Sequence, residues 1–232
     1  MNKGIIKKIY REKDIIYIQE KINMLGSNRK FKFDAVSFLN LRVITTILLT
    51  IILFLSNINY FIIPFIIILY YNLFYYILIT NEINKRIKKL DKEALSFFEI
   101  LTLSLESGRN LENSLEITCY NIDNELSSEF KRSLMEIKFG RSLMEALDDL
   151  KKRIPSDVVN NIILNITQTS VFGNSIIDVM NNQVEFLREK QILEVKSQIN
   201  KIPNKVSIVS VLFIVPLILL MVLGPFIINL LG

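Results

Sequence analysis

The chain has 232 residues, half of them apolar, with 28 basic against 23 acidic residues, a net charge of +5 and a single cysteine. The absence of histidine excludes Ser-His-Asp and Cys-His catalysis and every histidine-ligated metal site. One thiol, Cys119, excludes an internal disulfide or a thiolate cluster, and its neighbours Ile117 and Tyr120 mark it as an inert core residue.

The first 42 residues carry ten basic and four acidic side chains, a net +6. They read as a basic cytoplasmic segment, with contact to an anionic leaflet as the alternative. Residues 15–24 are too mixed in polarity for the core of a secretory signal, so none is expected. Three stretches without any charge follow, at 43–56, 58–80 and 206–232. At about 1.5 Å per residue, the last two each match a hydrocarbon core about 30 Å thick. The first is short unless residues 38–42 join it, with Arg42 reaching toward the headgroups. Asn57-Ile58-Asn59 is the expected turn of a membrane hairpin. A single helix over 43–79 would reach about 55 Å, too long for one crossing. All 28 Lys and Arg lie outside the charge-free stretches, ten in 1–42 and 18 in 81–205. The positive-inside rule therefore predicts a cytoplasmic N-terminus, three spans and a C-terminus on the outer side.

Residues 81–205 read as six helices. Leu90, Ala94, Phe97, Leu101 and Leu105 recur at helical spacing, in a first helix that continues from the second span. Further helices are expected at 111–120, 126–139, 143–153, 157–172 and 176–202. Gly108-Arg109-Asn110-Leu111, Gly140-Arg141-Ser142-Leu143 and Gly173-Asn174-Ser175-Ile176 mark three joints, in which glycine ends one helix and a small polar residue caps the next. Ser142 with Glu145 forms a capping box, and Ser175 with Asp178 a near variant. Pro155-Ser156 stops the fourth helix and caps the fifth, and Pro203 marks the junction with the third span. The fold class is therefore all-α: a membrane protein with three transmembrane helices and a cytoplasmic six-helix bundle. Its divisions are a basic segment at 1–42, a transmembrane hairpin at 43–80, the bundle at 81–205 and a C-terminal span at 206–232.

The sequence offers no catalytic constellation. No glycine is followed by lysine, so a P-loop is excluded. Asp148 and Asp149 are adjacent on a helix, about 100° apart, and precede Lys151-Lys152-Arg153, which reads as a solvated charged face. Glu185 and Glu189 alternate with Arg188 and Lys190 and read as local ion pairs. No cofactor, metal or nucleic acid is expected.

The segments Leu101-Thr-Leu-Ser-Leu-Glu-Ser-Gly108-Arg-Asn-Leu111, Phe139-Gly140-Arg-Ser-Leu143-Met-Glu-Ala-Leu147 and Gln168-Thr-Ser-Val-Phe-Gly173-Asn-Ser-Ile176 resemble, in this order, the type II secretion F family. The likeness extends through Gln183-Val-Glu-Phe-Leu-Arg188, Lys201-Ile-Pro203-Asn-Lys205 and Leu223-Gly224-Pro225, over residues 85–229. A single copy of the helical unit, a span pair before it and one span after it resemble the TadB and TadC proteins of Tad/Flp pili. The resemblance implies a non-enzymatic inner-membrane platform that couples a cytoplasmic secretion ATPase to pilin assembly. It implies as partners that ATPase, a companion F-family platform protein, pilin subunits and the bilayer, with the chain in an oligomer. Gly108, Leu111, Gly140, Leu143, Gly173 and Pro203 would be structural joints. Lys151, Lys152 and Arg153, a basic cluster at a helix end, are the candidate ATPase contact. The other reading of the same bundle is a membrane-anchored adaptor or signalling protein with a different cytoplasmic partner.

Overall fold

The computed structural model describes residues 11–26, 34–56, 61–172 and 175–231. The hairpin turn expected at 57–59 and the joint at Gly173 lie outside the described residues. Among those described, every regular element is helical. The chain divides into two compact units, Met1–Val184 and Glu185–Gly232.

In the first unit, α1 (Glu12–Asn23) precedes α2 (Ala35–Leu55) and α3 (Ile63–Tyr75). A π-helical turn, Tyr76–Thr80, leads without a break into α4 (Asn81–Glu106). Then come α5 (Leu111–Asn121), α6 (Glu125–Lys138), α7 (Leu143–Arg153) and α8 (Asp157–Phe172). The last helix, α9 (Ile176–Leu231), begins in this unit and runs through the second.

α2 and α3 are apolar on their outward faces. Ile51, Phe54, Phe65, Ile68 and Leu69 are all exposed, which a helix buried in a soluble core would not allow. Among the described residues, two helices are long and apolar enough to cross a bilayer, Ala35–Leu55 with 21 residues and the continuous Ile63–Glu106. The first apolar helix starts at Ala35, before Arg42, so residues 38–42 do join it. Arg42 lies across α3: its guanidinium sits 3.4 Å from the Tyr71 ring centroid and donates to the Tyr71 carbonyl at 2.8 Å.

The helices after the hairpin pack around α4. Leu90, Ala94, Phe97, Leu101 and Leu105, the stripe expected from their spacing, are all buried. Phe97 stacks on Phe130 of α6 at 4.5 Å between ring centroids, with Phe98 edge-on to both. α5 packs on α4 and α6, α7 on α6 and α8, and α8 on α4. Leu115, Leu147 and Met180, each four residues into a helix that follows a joint, are buried at 2 %, 2 % and 0 % exposure.

Several expectations need correction. The basic N-terminal segment holds an ordered helix, α1, whose Ile18 and Ile22 are buried against Ala35, Phe38, Leu39, Ile79 and Ile83. Phe139 lies outside α6 as its C-terminal cap and is 91 % exposed. The sixth helix does not end at 202. It continues through Pro203 to Leu231, since a proline's missing donor and ring clash disfavour a helix interior without forbidding a long helical run. In the second unit, described side chains such as Leu212, Phe213 and Leu217 are exposed. Among the described residues, the apolar run Ser210–Leu223 lies within the stretch expected to form the third span.

The joints take the conformation their residues favour. Gly108 has φ +83° and Gly140 φ +92°. At Gly140 the backbone forms a complete Schellman motif: Gly140 N–H donates to the Ile137 carbonyl at 2.8 Å and Arg141 N–H to Glu136 at 3.2 Å. The next helices are capped by Asn110, which accepts from Asn113 N–H at 2.8 Å, and by Ser142, which accepts from Glu145 N–H at 3.3 Å. Leu111 and Leu143, the first residues after these caps, are half-buried. Nothing lies within 4 Å of a Cβ placed on Gly140, so a substitution there is strained by backbone conformation alone. Gly140→Ala is expected to cost about 1–3 kcal/mol, and Gly140→Asn less, since asparagine tolerates positive φ. Equal denaturation midpoints for the two variants would contradict this.

Candidate functional site

The concentration of polar chemistry lies where α4 leaves the apolar hairpin. It is centred on Arg86, which is 6 % exposed. Arg86 falls four residues before Leu90, on the same inward stripe, so the helix aims its guanidinium into the protein. Four hydrogen bonds receive it. Nε donates to Glu125 Oε1 at 2.6 Å and Nη2 to Glu129 Oε1 at 2.6 Å. Nη1 donates to the carbonyls of Met24 and Arg153, both at 2.7 Å.

The placement follows helix electrostatics. The Met24 and Arg153 carbonyls are at the C-terminal ends of α1 and α7, where unpaired oxygens and the negative dipole end favour a cation. Glu125 opens α6, where the positive dipole end favours a carboxylate. The α6 N-terminus has further acceptors: Asn124 accepts from Ser127 N–H at 2.8 Å, and Glu93 of α4 accepts from Leu126 N–H at 3.0 Å. Arg86 thus joins the ends of α1, α6 and α7 to the middle of the helix that continues the hairpin.

A second arginine extends the network. Arg153 donates to Glu129 Oε2 and Glu136 Oε1, each at 3.3 Å, and to Ser133 Oγ at 2.7 Å. Glu136 also pairs with Arg141 at 2.7 Å, and Arg141 with Asp149. Lys89 adds a contact to Glu125 Oε2 at 2.9 Å. The charges alternate in sign from Arg86 through Glu129, Arg153 and Glu136 to Arg141 beside the Gly140 joint.

Gly26, two residues past α1's cap, is built into the hub. It has φ +76°, and a Cβ there would lie 2.8 Å from the guanidinium carbon of Arg86. The position therefore needs glycine twice over, for its backbone conformation and for room.

Burial alone would raise the pKa of Glu125, but the hydrogen bonds from Arg86 and Lys89 outweigh it and hold the carboxyl below its ordinary value. The pair stabilises the fold fully above the ordinary glutamate range, near about pH 4.3. That contribution is lost as pH falls through the depressed folded value. Acidification is expected to lower the unfolding free energy in this window, with a shallower slope in Glu125→Gln. Identical slopes in urea titrations would show that Glu125 does not titrate as a paired group.

The sequence-predicted basic cluster divides here. Lys152 is exposed and pairs with Asp149 at 2.8 Å, and Lys151 pairs with Asp148 at 2.7 Å. Arg153 points inward, with 13 % of its side chain exposed. Cys119 is 2 % exposed, and burial pushes its thiol up to about 11, so it is largely protonated at neutral pH. Among the described residues no group of acidic, cysteine or histidine side chains could hold a metal ion.

Sequence reasoning missed Arg86, Glu125, Glu129 and Gly26. The signals were present. Arg86 interrupts a run of lysines at an inward position, Glu125 and Glu129 share a face at four-residue spacing, and Gly26 follows an amphipathic run as a helix stop. No curated protein and no solved structure gives a significant match. A family model described as Type II secretion system (T2SS), protein F, matches residues 97–224, which is 128 of the 232 residues (224 − 97 + 1). That span covers the Phe97–Phe130 core, both described glycine joints and most of α9, and the chain belongs to the type II secretion system protein F family.

Proposed function

We propose that the chain is a non-enzymatic inner-membrane platform subunit of a Tad or type IV-like pilus, or of a type II secretion machine, nearest the TadB/TadC type. In this reading its helices after the hairpin dock on a cytoplasmic secretion ATPase. Its spans guide pilin subunits from the bilayer, and a companion F-family protein completes an oligomeric platform. The N-terminus is cytoplasmic and the C-terminus is outside.

The observation that carries the reading, beside family membership, is the unbroken helix Ile63–Glu106. Its first part is apolar and outward-facing, and its second part is the central helix of the packed unit. A displacement of the packed helices is therefore delivered to the hairpin along one rod, with no flexible linker between them. Arg86 fixes α6 and α7 to that rod just past the apolar run.

The test is crosslinking in cells of the full-length chain, with a photoreactive residue at exposed Lys152 or Phe139. Recovery of a secretion ATPase supports the platform. Absence of any ATPase adduct from a panel of exposed turn positions, or ATP hydrolysis by the purified chain alone, would sink it.

A further inference from the structure

α1 is placed by its inner face. Ile18 and Ile22 pack on Ala35, Phe38 and Leu39 of α2 and on Ile79 and Ile83, at the start of one apolar helix and the end of the other. The charge-free runs of the hairpin stop at Arg42 and at Glu82. α1 is thus held at the level where the hairpin's apolar belt gives way to charge.

The outer face of α1 leaves Ile16 58 % and Tyr17 53 % exposed. Around Tyr17 lies a layer of rings and cations drawn from three helices. Lys21 Nζ sits 5.7 Å from the Tyr17 ring centroid, and Tyr75 packs against the Ile18 and Ile22 cluster. Arg42 lies 3.4 Å from the Tyr71 ring and 5.6 Å from that of Tyr75. Tyrosines with lysine and arginine at one level are the chemistry of the membrane–water interface, where a ring has an apolar body and a wet end. The sign of the charge narrows the partner further. Arg11, Lys13 and Lys21 are balanced by Glu12, Asp14 and Glu20, so attraction to anionic headgroups does not hold this helix.

We propose that α1 is an interfacial strap: it lies along the leaflet on the basic side of the hairpin and sets Ile16 and Tyr17 into the headgroup–acyl boundary, whatever the headgroup charge. The proposal rests on α2 and α3 being a membrane hairpin. Its consequence follows from the hub, since Arg86 grips the Met24 carbonyl just past the strap. The leaflet, the hairpin and the ends of α6 and α7 then meet at one side chain.

The chain contains no tryptophan, so a single reporter can be introduced. Full-length Tyr17→Trp, Leu69→Trp and Phe139→Trp are reconstituted in phosphatidylcholine vesicles whose lipids carry bromine high or low on their acyl chains. Tyr17→Trp is expected to emit to the blue of Phe139→Trp and to lose most of its emission to the shallow bromines and less to the deep ones. Leu69→Trp, in the hairpin, responds more to the deep bromines. Added anionic lipid changes neither result. Unquenched Tyr17→Trp beside quenched Leu69→Trp overturns the strap and leaves the hairpin standing. Emission that is blue-shifted but unquenched also overturns it, because a protein surface then covers the face. Quenching that requires anionic lipid overturns the apolar basis. Loss of quenching at Leu69→Trp as well overturns the hairpin and, with it, the strap.

Discussion

Arg86→Met is expected to lower the unfolding free energy of the full chain by about 3–5 kcal/mol. The guanidinium makes four hydrogen bonds in a site where its own side chain is 5 % and that of Glu129 8 % exposed. Methionine keeps much of the volume and removes the charge, so Glu125 and Glu129 face each other without their shared cation. Two helix-end carbonyls also lose their donor. Lys85→Met, one residue away at an exposed position, should change stability by no more than about 0.5 kcal/mol. The double variant Arg86→Met/Glu129→Met should recover part of the loss, because breaking one side of a buried pair costs more than replacing both. Recovery is incomplete because Glu125 remains and Arg153 loses its contact with Glu129. Denaturant titrations of the chain in detergent, followed by far-UV circular dichroism, give the three values. An Arg86→Met loss no larger than that of an exposed pair, below about 1 kcal/mol, would show that the hub does not hold the fold together.

The sequence revealed most of what is local. Capping residues and glycines carry their own conformational chemistry, which is why the starts at Leu111, Leu143 and Asp157 and the positive φ at Gly108 and Gly140 could be read directly. The inward stripe of α4 was equally visible, because helical spacing is a property of one segment. The hub was not. Arg86, Glu129 and Arg153 are separated by 43 and 24 residues, and no periodicity records which distant charges meet. Arg86 also stands among four lysines between residues 85 and 92, where positive-inside bias is a sufficient reason for any basic residue. The π turn at Tyr76–Thr80 has no composition of its own, being five apolar or small residues inside an apolar run. Pro203 carries the opposite lesson: its sequence signal ends a helix at 202, and the helix runs on through it. A residue that usually ends helices was given that meaning, although its missing donor is one bond in a helix of 56 residues.

Arg153→Glu should unfold the hub, whereas Lys152→Glu should leave stability nearly unchanged. The three basic residues at the end of α7 look alike in sequence and equally suited to the helix's negative end. Their surroundings separate them. Lys152 has 76 % of its side chain exposed and holds Asp149 at the surface, where solvent screens the pair, so reversing it leaves stability nearly unchanged. Arg153 lies between Glu129 and Glu136, with Ser133 as a third acceptor. A glutamate there brings a third carboxylate to two others, of which Glu129 is buried, and also disturbs the segment whose carbonyl Arg86 grips. The expected loss is at least the roughly 3–5 kcal/mol of a broken buried pair, with like-charge repulsion added. A variant reversing all three residues would therefore lose secretion or pili through unfolding, whether or not the cluster touches an ATPase. Lys151→Glu/Lys152→Glu, with Arg153 retained, tests docking cleanly. Loss of assembly in a folded, membrane-inserted double variant places the ATPase at this helix end, while normal assembly moves the contact elsewhere. If Arg153→Glu unfolds no more readily than Lys152→Glu, the inward position of Arg153 is wrong, and the continuous ionic path from Arg86 to the Gly140 joint fails with it.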